Sequence, residues 1–510
     1  MPSSSQVYRS TRSSQQEELS FEDVVMTGLA PDGGLYLPSA IPQLPKDFLS
    51  KWADLSFNEL AFEILRLYIN ENEIPNADLK DLITRSYSTF RSSEVTPLKK
   101  LDDNLYILEL FHGPTYAFKD VALQFVGNLF EYFLTRRNAQ KDLTKQPRDI
   151  ITVVGATSGD TGSAAIYGLR GKKDVSVFIL YPTGRISPIQ EEQMTTVEDE
   201  NVHTLSVNGT FDDCQDIVKL VFGDKEFNDK YHVGAVNSIN WARILAQQTY
   251  YFYSYFQLQK QAKTTNKVRF VVPSGNFGDI LAGYYAYRMG LPVDKLIIAT
   301  NENDILDRFI KSGEYAKEQE VGVKATYSPA MDILISSNFE RLLWYLIRDN
   351  VPEVNKSDEK AGQLLNDWMK QLKEQGKFKV PAEVIDAARQ VFDSQRVDND
   401  TTVQTIKQVY DKSADKYVID PHTAVGVTTS YSFIAKDTEP TQYISLSTAH
   451  PAKFSEVVNK ALDSFDGYSF DKDVLPAELK ALSSKEKRIK LIDEASVEKV
   501  KQAIKDELKF

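Results

Sequence analysis

A β-rich run, a glycine-rich or hydroxyl-rich loop and a helical pattern follow one another three times in this chain, and this repeat constrains the fold most. The loops are Gly155–Gly162, Pro273–Asp279 and Ser447–Lys453. The runs before them are Ile151–Val154, Val268–Val272 and Tyr443–Leu446, the helical patterns after them are Ala164–Leu169, Ile280–Met289 and Val457–Ala461, and two of these helices lead to strands at Val175–Tyr181 and Lys295–Ala299. Repeated βα units of this kind predict an α/β sheet flanked by helices.

The positions of the three loops also predict where the active site lies. In open α/β sheets, ligands bind beyond the carboxyl ends of the strands. Each of the three loops directly follows a predicted strand. We therefore expect the active site to lie at these loops.

A lysine among apolar residues opens another helical pattern. The segment Phe111–Asp120 has a Gly-Pro turn and ends in Phe-Lys-Asp, which places Lys119 in the first turn of a helix. Backbone N–H groups there disfavour an ammonium by roughly 0.3 to 1 kcal/mol, and the apolar neighbours Phe111 and Phe118 lower the lysine pKa further. A partly neutral lysine can form a Schiff base with a carbonyl substrate or with pyridoxal phosphate. The alternative is a structural lysine that pairs with a carboxylate.

The loop Pro273–Asp279 has the composition of an anion site. Gly275 and Gly278 let backbone N–H groups turn toward one point without a Cβ in the way, and the following helix N-terminus favours an anion. The Gly-x-x-x-x-Gly-Lys-Ser/Thr and Gly-x-Gly-x-x-Gly patterns are absent from this loop and from Gly155–Gly162, which argues against ATP and dinucleotides. The loop therefore indicates a phosphate site, and a glycine-bearing turn without a ligand is the alternative.

The loop Gly155–Gly162 carries small hydroxyl and carboxyl side chains at Thr157, Ser158, Asp160 and Thr161. Hydroxyls and main-chain amides at a helix start suit a carboxylate such as that of an amino acid. Helix capping by Ser158 and Thr161 is the alternative explanation.

The composition excludes several function classes. The formal net charge of −12 and a pI of about 5.2 argue against nucleic-acid or electrostatic membrane binding, and the chain has no apolar run long enough to span a bilayer. The five histidines lack metal-site spacing. The single cysteine, Cys214, is interpreted as a structural thiol and fits a reducing compartment. The Ser-rich, Arg-bearing start has no secretory apolar core, and the cytoplasm is predicted over a transit peptide.

The length of 510 residues predicts roughly three domains. Residues 1–95 are predicted as a small, mainly helical N-terminal domain, with helices at Asn58–Tyr68 and Ala77–Phe90. The boundaries of the two α/β domains are predicted at 96–245 and 246–510. Within the second, residues 353–412 are charged and Gly-poor, and they are predicted as a solvated helical insertion.

Five motifs together resemble the threonine synthase family, in the longer form found in fungi and many bacteria. They are His112–Asp120, Gly155–Gly162, Asn237–Arg243, Pro273–Asp279 and Ser447–Pro451, and the resemblance extends over essentially the whole chain. It implies the tryptophan synthase β-like fold, or fold type II, in which two α/β domains enclose pyridoxal phosphate. It also implies conversion of O-phospho-L-homoserine and water to L-threonine and phosphate by γ-elimination and β-addition of water.

The resemblance also implies roles for single residues. Lys119 matches the lysine that carries the cofactor, Thr448 the residue beside the pyridine nitrogen, and Asp160 the position where relatives often have an asparagine near the phenolic oxygen. The residues that match the loop around the cofactor phosphate are Gly275, Asn276, Phe277, Gly278 and Asp279. The candidates for substrate binding are Thr157, Ser158, Thr161, Asn237, Ser238, Arg185 and Arg243. No metal is expected.

Two other functions stay open from the sequence. One is another fold type II lyase, such as a threonine or serine dehydratase, or a sulfhydrylase. The other is a regulatory protein that kept the fold and lost turnover. The expected partner is the small-molecule substrate, with no nucleic acid or membrane, and the chain is expected to be a monomer or a small homo-oligomer. His112, beside the lysine motif, is interpreted either as an aid to proton transfer or as a structural histidine.

Overall fold

The computed structural model describes residues 6–318 and 320–508. The strands within these residues are β1 (Tyr8–Ser10), β2 (Tyr36–Pro38), β3 (Leu98–Asp102), β4 (Leu105–Glu109), β5 (Ile151–Ala156), β6 (Val175–Pro182), β7 (Val202–Val207), β8 (Val233–Gly234), β9 (Lys267–Pro273), β10 (Lys295–Thr300), β11 (Glu314–Ala316), β12 (Lys377–Lys379), β13 (Phe392–Arg396), β14 (Thr441–Ser447) and β15 (Lys490–Ile492). The helices up to Ser312 are α1 (Phe21–Thr27), α2 (Phe48–Lys51), α3 (Phe57–Leu65), α4 (Asn76–Tyr87), α5 (Lys119–Ala139), α6 (Asp160–Leu169), α7 (Pro188–Thr195), α8 (Phe211–Gly223), α9 (Lys225–Tyr231), α10 (Trp241–Ala262), α11 (Gly278–Met289) and α12 (Ile305–Ser312). The later helices are α13 (Phe339–Asn350), α14 (Asp358–Gln375), α15 (Ala382–Val391), α16 (Asn399–Lys412), α17 (Pro421–Ile434), α18 (Ser455–Leu462), α19 (Phe470–Asp473), α20 (Ala477–Ala481) and α21 (Val497–Leu508).

Two sheets of mostly parallel strands form the centre of the protein. The larger has the order β13-β10-β9-β14-β4-β3, with only β3 antiparallel to its neighbour. The smaller has the order β15-β7-β6-β5-β8 and is parallel throughout. Helices pack against both sheets, which confirms the α/β class predicted from the βα repeats. Two α/β layers of this kind are also what the resemblance to the fold type II enzymes implies.

The predicted local elements are confirmed where the sequence pattern is periodic. The three βα units appear as β5 and α6, β9 and α11, and β14 and α18. The two predicted N-terminal helices appear as α3 and α4, each a few residues shorter than predicted. Helix α5 begins at Lys119, as the apolar pattern after the Gly-Pro turn predicts.

Strand pairing crosses the predicted domain boundary in both directions. Strands β3 and β4 belong to the larger sheet, although they fall within the predicted domain 96–245. Strand β15 pairs with β7 in the smaller sheet, although it falls within 246–510. The division at 245 stays a prediction about domains, and it does not describe how the strands are shared between the sheets.

The segment 353–412 differs from the predicted solvated helical insertion. It contains the helices α14, α15 and α16 and the short strand β12, but it also supplies β13, which pairs in parallel with β10 at the edge of the larger sheet. Trp368 and Phe392 are buried in the main core. The charges lie on the outer faces, so composition alone hides the buried faces of these elements.

Helices α5 and α6 approach each other closely through two glycines. A Cβ at Gly127 of α5 would lie 1.8 Å from the carbonyl oxygen of Gly168 in α6. A Cβ at Gly168 would lie 2.5 Å from the carbonyl oxygen of Leu123. The approach sets the spacing between the N-terminal ends of the two helices, where Lys119 and Asp160 lie.

None of the helices within the described residues is long and apolar enough to cross a bilayer.

We expect Gly127→Ala to lower the thermal unfolding midpoint, because its methyl group meets backbone atoms that cannot rotate away. Overpacking of this kind costs about 1–3 kcal/mol. Gly223→Ala is the matched control, since Gly223 ends α8 with nothing within 4 Å of the added Cβ. Thermal unfolding followed by circular dichroism measures both variants. Equal midpoints for the two would show that the α5–α6 contact tolerates a methyl group.

Candidate active site

The three predicted loops line one cavity of about 340 Å³. It lies where β5, β9 and β14 end, so the convergence of the loops at the carboxyl ends of strands is confirmed. A wider surface groove of about 710 Å³ lies along Val351–Pro381 and contains none of the predicted site residues. The lining residues that the sequence predicts are Lys119, Thr157, Ser158, Asp160, Thr161, Asn237, Ser238, Arg243, Gly275, Asn276, Phe277, Gly278, Asp279 and Thr448.

Lys119 lies in the wall of this cavity as the first residue of α5. Its Nζ donates a hydrogen bond to Thr161 Oγ1 at 2.9 Å, and no carboxylate of the described residues lies within 4 Å of it. Burial lowers the pKa of Lys119 to about 8, with the nearby Asp160 carboxylate acting in the opposite direction. The structure thus favours the nucleophilic interpretation over a lysine in a simple ion pair.

Two contacts hold the start of α5 in place. The Asp120 carboxylate accepts hydrogen bonds from Thr115 N at 2.8 Å and from Thr115 Oγ1 at 2.7 Å. The backbone N–H of Phe118 donates to the carbonyl oxygen of Thr448 at 2.8 Å. Lys119 is therefore fixed both to its own loop and to the end of β14.

Asp160 is buried and already paired. Its Oδ1 lies 2.7 Å from Lys453 Nζ and accepts a hydrogen bond from Gln190 Nε2 at 3.1 Å. Burial raises the pKa of this carboxyl, but Lys453 and Lys119 outweigh burial and lower the pKa to about 2. Asp160 is therefore a carboxylate over the whole working pH range.

The backbone of the Pro273–Asp279 loop presents unused donors. Among the described residues, no acceptor pairs with the backbone N–H groups of Gly275, Asn276 and Phe277. A Cβ at Gly275 would lie 3.0 Å from Met331 Cα, a contact tighter than most Cβ atoms make, which favours glycine at this position. Phe277 has a φ of +67°, in the left-handed region. Consecutive unpaired N–H groups around a left-handed residue form a concavity that binds anions.

The Asp279 side chain points to tyrosines rather than to an anion. Its carboxylate accepts hydrogen bonds from the Tyr250 hydroxyl and from the Tyr251 hydroxyl, the latter at 2.9 Å. Burial raises its pKa to about 6, although both tyrosines act to lower it. The side chain anchors α11 to α10, which leaves only the backbone of Asp279 to serve the predicted phosphate site.

The two predicted arginines have different surroundings. Arg243 is 3% exposed and lines the cavity, where its Nη1 donates to the carbonyl oxygen of Val236 at 3.0 Å and its Nε has no partner. Burial lowers its pKa to about 10. Arg185 is exposed and does not line the cavity. The structure thus brings Arg243 to the site and leaves Arg185 outside it.

Some polar side chains that line the cavity bond other groups of the protein, and others do not. The Thr157 hydroxyl accepts from the backbone N–H groups of Gly159 and Gly162, so it braces its own loop. Within the described part of the chain, Ser158, Asn237 and Thr448 make no side-chain hydrogen bond and line the cavity. Those groups are available to a ligand.

Two residues of the sequence motifs, Asn240 and His112, play structural parts, whereas Ser238 lines the cavity. Ser238 Oγ lies 3.4 Å from Ser337 Oγ. The Asn240 side chain caps α10 and bonds the Val25 carbonyl oxygen at 3.0 Å, away from the cavity. His112 Nε2 lies 3.1 Å from Glu109 Oε1 and does not line the cavity, which favours the structural interpretation of this histidine.

The charges around the cavity favour anionic ligands. Lys119 and Arg243 have no carboxylate within 4 Å among the described residues. By contrast, each of these lining carboxylates has a partner in the protein: Lys453 pairs with Asp160, two tyrosines bond one oxygen of Asp279, and Asp332 accepts from Thr326 Oγ1 at 2.6 Å. The two cations are therefore available to an anionic ligand.

Several contributors to this site were not predicted from the sequence, among them Asp332 and three further polar residues. Gln190 and His422 line the cavity, and Lys453 supports it from behind Asp160. Lys453 ends the third loop, and a lysine between the apolar residues Ala452 and Phe454 was a usable signal. Nothing in the local sequence marks Gln190 or His422. The described residues hold no group of three or more metal-binding side chains.

Family models match nearly the whole chain: "Threonine synthase N terminus" at residues 7–87, "Pyridoxal-phosphate dependent enzyme" at 90–433 and "Threonine synthase, C-terminal" at 423–504. Threonine synthase of Saccharomyces cerevisiae is 66% identical, over 100% of this chain and 99% of the relative. The crystal structure of threonine synthase from yeast superposes with a TM-score of 0.95 at 65% identity and covers 99% of each chain. The pyridoxal-phosphate-bound threonine synthase from Brucella melitensis gives 0.87 at 40% identity, also over 99% of each chain.

We expect the reactivity of Lys119 toward acetic anhydride to follow a titration centred near pH 8. Only the neutral amine reacts, so the rate should rise about tenfold per pH unit below pH 8 and level off above it. Peptide mass spectrometry of briefly acetylated, cofactor-free protein measures the rate at Lys119 alone. A rate that keeps rising beyond pH 10 would identify an ordinary solvated lysine.

Proposed function

The chain belongs to the threonine synthase family of pyridoxal-phosphate enzymes, and on that premise we propose how its residues divide the work of the reaction. The enzyme converts O-phospho-L-homoserine and water to L-threonine and phosphate, the last step of threonine biosynthesis. Full-length agreement with curated threonine synthases carries this assignment. Neither the dehydratase nor the regulatory alternative is favoured.

The residues at the cavity fit pyridoxal phosphate. The unpaired N–H groups of Gly275, Asn276 and Phe277 suit its phosphate, and the free Thr448 hydroxyl suits a neutral partner for its pyridine nitrogen. The Lys119 amine is the proposed attachment point for the aldehyde of the cofactor, and Asp160 is the candidate beside its phenolic oxygen. When bound, the group supplies an electron sink for the carbanions that proton removal from the substrate creates.

Lys119 is the proposed acid and base. The reaction needs protons removed from Cα and Cβ of the substrate, phosphate expelled from Cγ, water added at Cβ, and protons returned. An amine with a pKa near 8 exists in both forms at neutral pH, so it can take up and return protons repeatedly. Its hydrogen bond to Thr161 Oγ1 holds the amine in the cavity wall between transfers.

Arg243 is the proposed partner of the substrate phosphate. Its guanidinium lines the cavity, has an unpaired buried Nε, and lacks a carboxylate partner among the described residues. A buried, unpaired cation is unfavourable unless a ligand completes it. Asn237 and Ser238 are proposed to add hydrogen bonds to the same group. Arg185 lies outside the cavity, which removes the support for a similar role.

The loop at the start of α6 is the proposed site of the substrate carboxylate. The Ser158 hydroxyl lines the cavity with no partner among the described residues, and the Thr161 hydroxyl is already held by Lys119. Thr157 supports the loop from within through its bonds to Gly159 and Gly162. We propose that Ser158 and Thr161 contact the carboxylate and that Thr157 shapes the loop.

We also propose the cytoplasm as the site of action, without nucleic-acid or membrane partners, and a monomer or small homo-oligomer. The acidic net charge and the single cysteine support this proposal. Cys214 is buried, and burial raises its thiol pKa to about 11, which agrees with a structural thiol.

We expect Lys119→Ala to abolish covalent attachment of pyridoxal phosphate and to lower turnover at least about 10²-fold, because both the anchoring amine and the base are lost. The visible spectrum with and without O-phospho-L-homoserine, and phosphate release, measure the two effects. Lys145→Ala, at an exposed surface lysine, is the control and should match the unaltered enzyme. Borohydride trapping of the cofactor on a different lysine would contradict the assignment.

We expect Arg243→Met to lower kcat/KM for O-phospho-L-homoserine by about 10- to 150-fold, the equivalent of a charge-assisted hydrogen bond of roughly 1.5–3 kcal/mol. Its thermal stability should stay the same or rise, because an unpaired buried charge is removed. Arg185→Met is the matched control and should stay within about twofold. Equal kinetics for the two variants would exclude Arg243 as the phosphate partner.

A further inference from the structure

A second lysine is buried directly behind the active-site cavity. Lys453 belongs to the short turn Pro451–Phe454 that follows β14, and its side chain is fully buried. Its Nζ lies 2.7 Å from Asp160 Oδ1 and donates a hydrogen bond to the carbonyl oxygen of Thr115 at 2.8 Å. Lys453 does not line the cavity, so it reaches the reaction only through its neighbours.

This pair leaves Lys119 without an ion-pair partner. Asp160 and Lys119 line the same cavity, and an acid and an amine so placed would normally pair. Instead, Asp160 Oδ1 is taken by Lys453 and Gln190, and Lys119 Nζ donates to the neutral Thr161 hydroxyl. The charge of Asp160 is thus matched by Lys453, a cation that does not line the cavity.

We propose that Lys453 is a positioning residue for Lys119: by holding the Asp160 carboxylate in a buried ion pair, it keeps Asp160 from pairing with Lys119 and leaves that amine free to lose its proton. The inference deepens the proposed function, since it rests on Lys119 acting as the reactive amine. The role belongs to Lys453 alone among the lysines of the described chain, because no other lysine lies within 4 Å of Asp160.

The groups that act on Lys119 come from four elements. Asp160 of α6 and Asp120 of α5 favour its charged form, whereas Arg243 of α10 and Lys453 disfavour it. His422 of α17 acts on Asp160 in the same direction as Lys453. Burial has the largest effect on the pKa of Lys119, Asp160 follows, and Lys453 acts against Asp160.

Removing Lys453 and removing the charge of Asp160 should shift the pKa of Lys119 in opposite directions. Without Lys453, Asp160 retains its charge and has Lys119 as its nearest cation, so the ammonium form of Lys119 is favoured. Without the Asp160 charge, Lys453 repels the Lys119 ammonium, so the neutral amine is favoured. Removing both charges should leave the pKa of Lys119 close to that in the unaltered protein. These opposite shifts of the Lys119 pKa would not both arise if Lys453 served only to brace the Thr115 carbonyl.

The test uses the acetylation profile of Lys119 in the cofactor-free protein with Lys453→Met, Asp160→Asn and the double variant. We expect the midpoint to rise by about one pH unit or more in Lys453→Met, to fall in Asp160→Asn, and to lie within about half a unit of the unaltered protein in the double variant. Covalent uptake of pyridoxal phosphate by Lys453→Met should be slow at pH 7.5 and recover at pH 9.5.

An unchanged midpoint in Lys453→Met would overturn the proposal and reduce Lys453 to a structural residue. Where Lys453→Met does not fold, Lys453→Gln takes its place, because a glutamine amide can still donate to the Thr115 carbonyl oxygen but carries no charge. The Lys119 midpoint should rise in Lys453→Gln as well, and no rise would overturn the proposal. Borohydride trapping of the unaltered enzyme tests separately whether Lys119 carries the cofactor.

Discussion

The close approach of helices α5 and α6 is the constraint on which the site depends. Gly127 and Gly168 let the two helix backbones meet where any side chain would collide. The N-terminal ends of both helices then lie at the same cavity, so that Lys119 Nζ bonds Thr161 Oγ1 at 2.9 Å. A wider spacing would separate the amine from the residues that orient it, since hydrogen bonds weaken steeply beyond this range.

The charges follow from that geometry. Two cations, Lys119 and Arg243, lie at the cavity without a carboxylate partner among the described residues, and the Asp160 carboxylate is already matched by Lys453. Burying these cations costs free energy that the rest of the fold offsets. Binding of a substrate and a cofactor that each bear a phosphate would lower this cost. The site is thus organised for a phosphate ester substrate beside a phosphate-bearing cofactor, and burial keeps the Lys119 amine reactive near neutral pH.

Local periodicity made much of this predictable, and long-range pairing did not. The βα units around Gly155–Gly162 and Pro273–Asp279 and the start of α5 follow from apolar spacing and turn residues close in sequence. Strand β15 has three residues, and the polar strand β13 lacks an alternating pattern, so their places at the sheet edges depend on partners far along the chain. The pairing of Lys453 with Asp160 was hidden for the same reason, because the two residues are remote in sequence, although the apolar neighbours of Lys453 mark it as a buried lysine.

Edge strand β13 supports the site because its Phe392 packs against Phe277. This residue adopts a left-handed backbone conformation, which costs roughly 1–3 kcal/mol in a non-glycine residue. Its ring packs against Phe339 and Phe392, at centroid distances of 5.2 and 5.7 Å, and that burial offsets the strain. The loop therefore keeps its N–H groups unpaired and ready for an anion instead of relaxing to satisfy them. The charged segment around β13 is in this way part of the support of the proposed phosphate site, although its composition indicates only solvated surface.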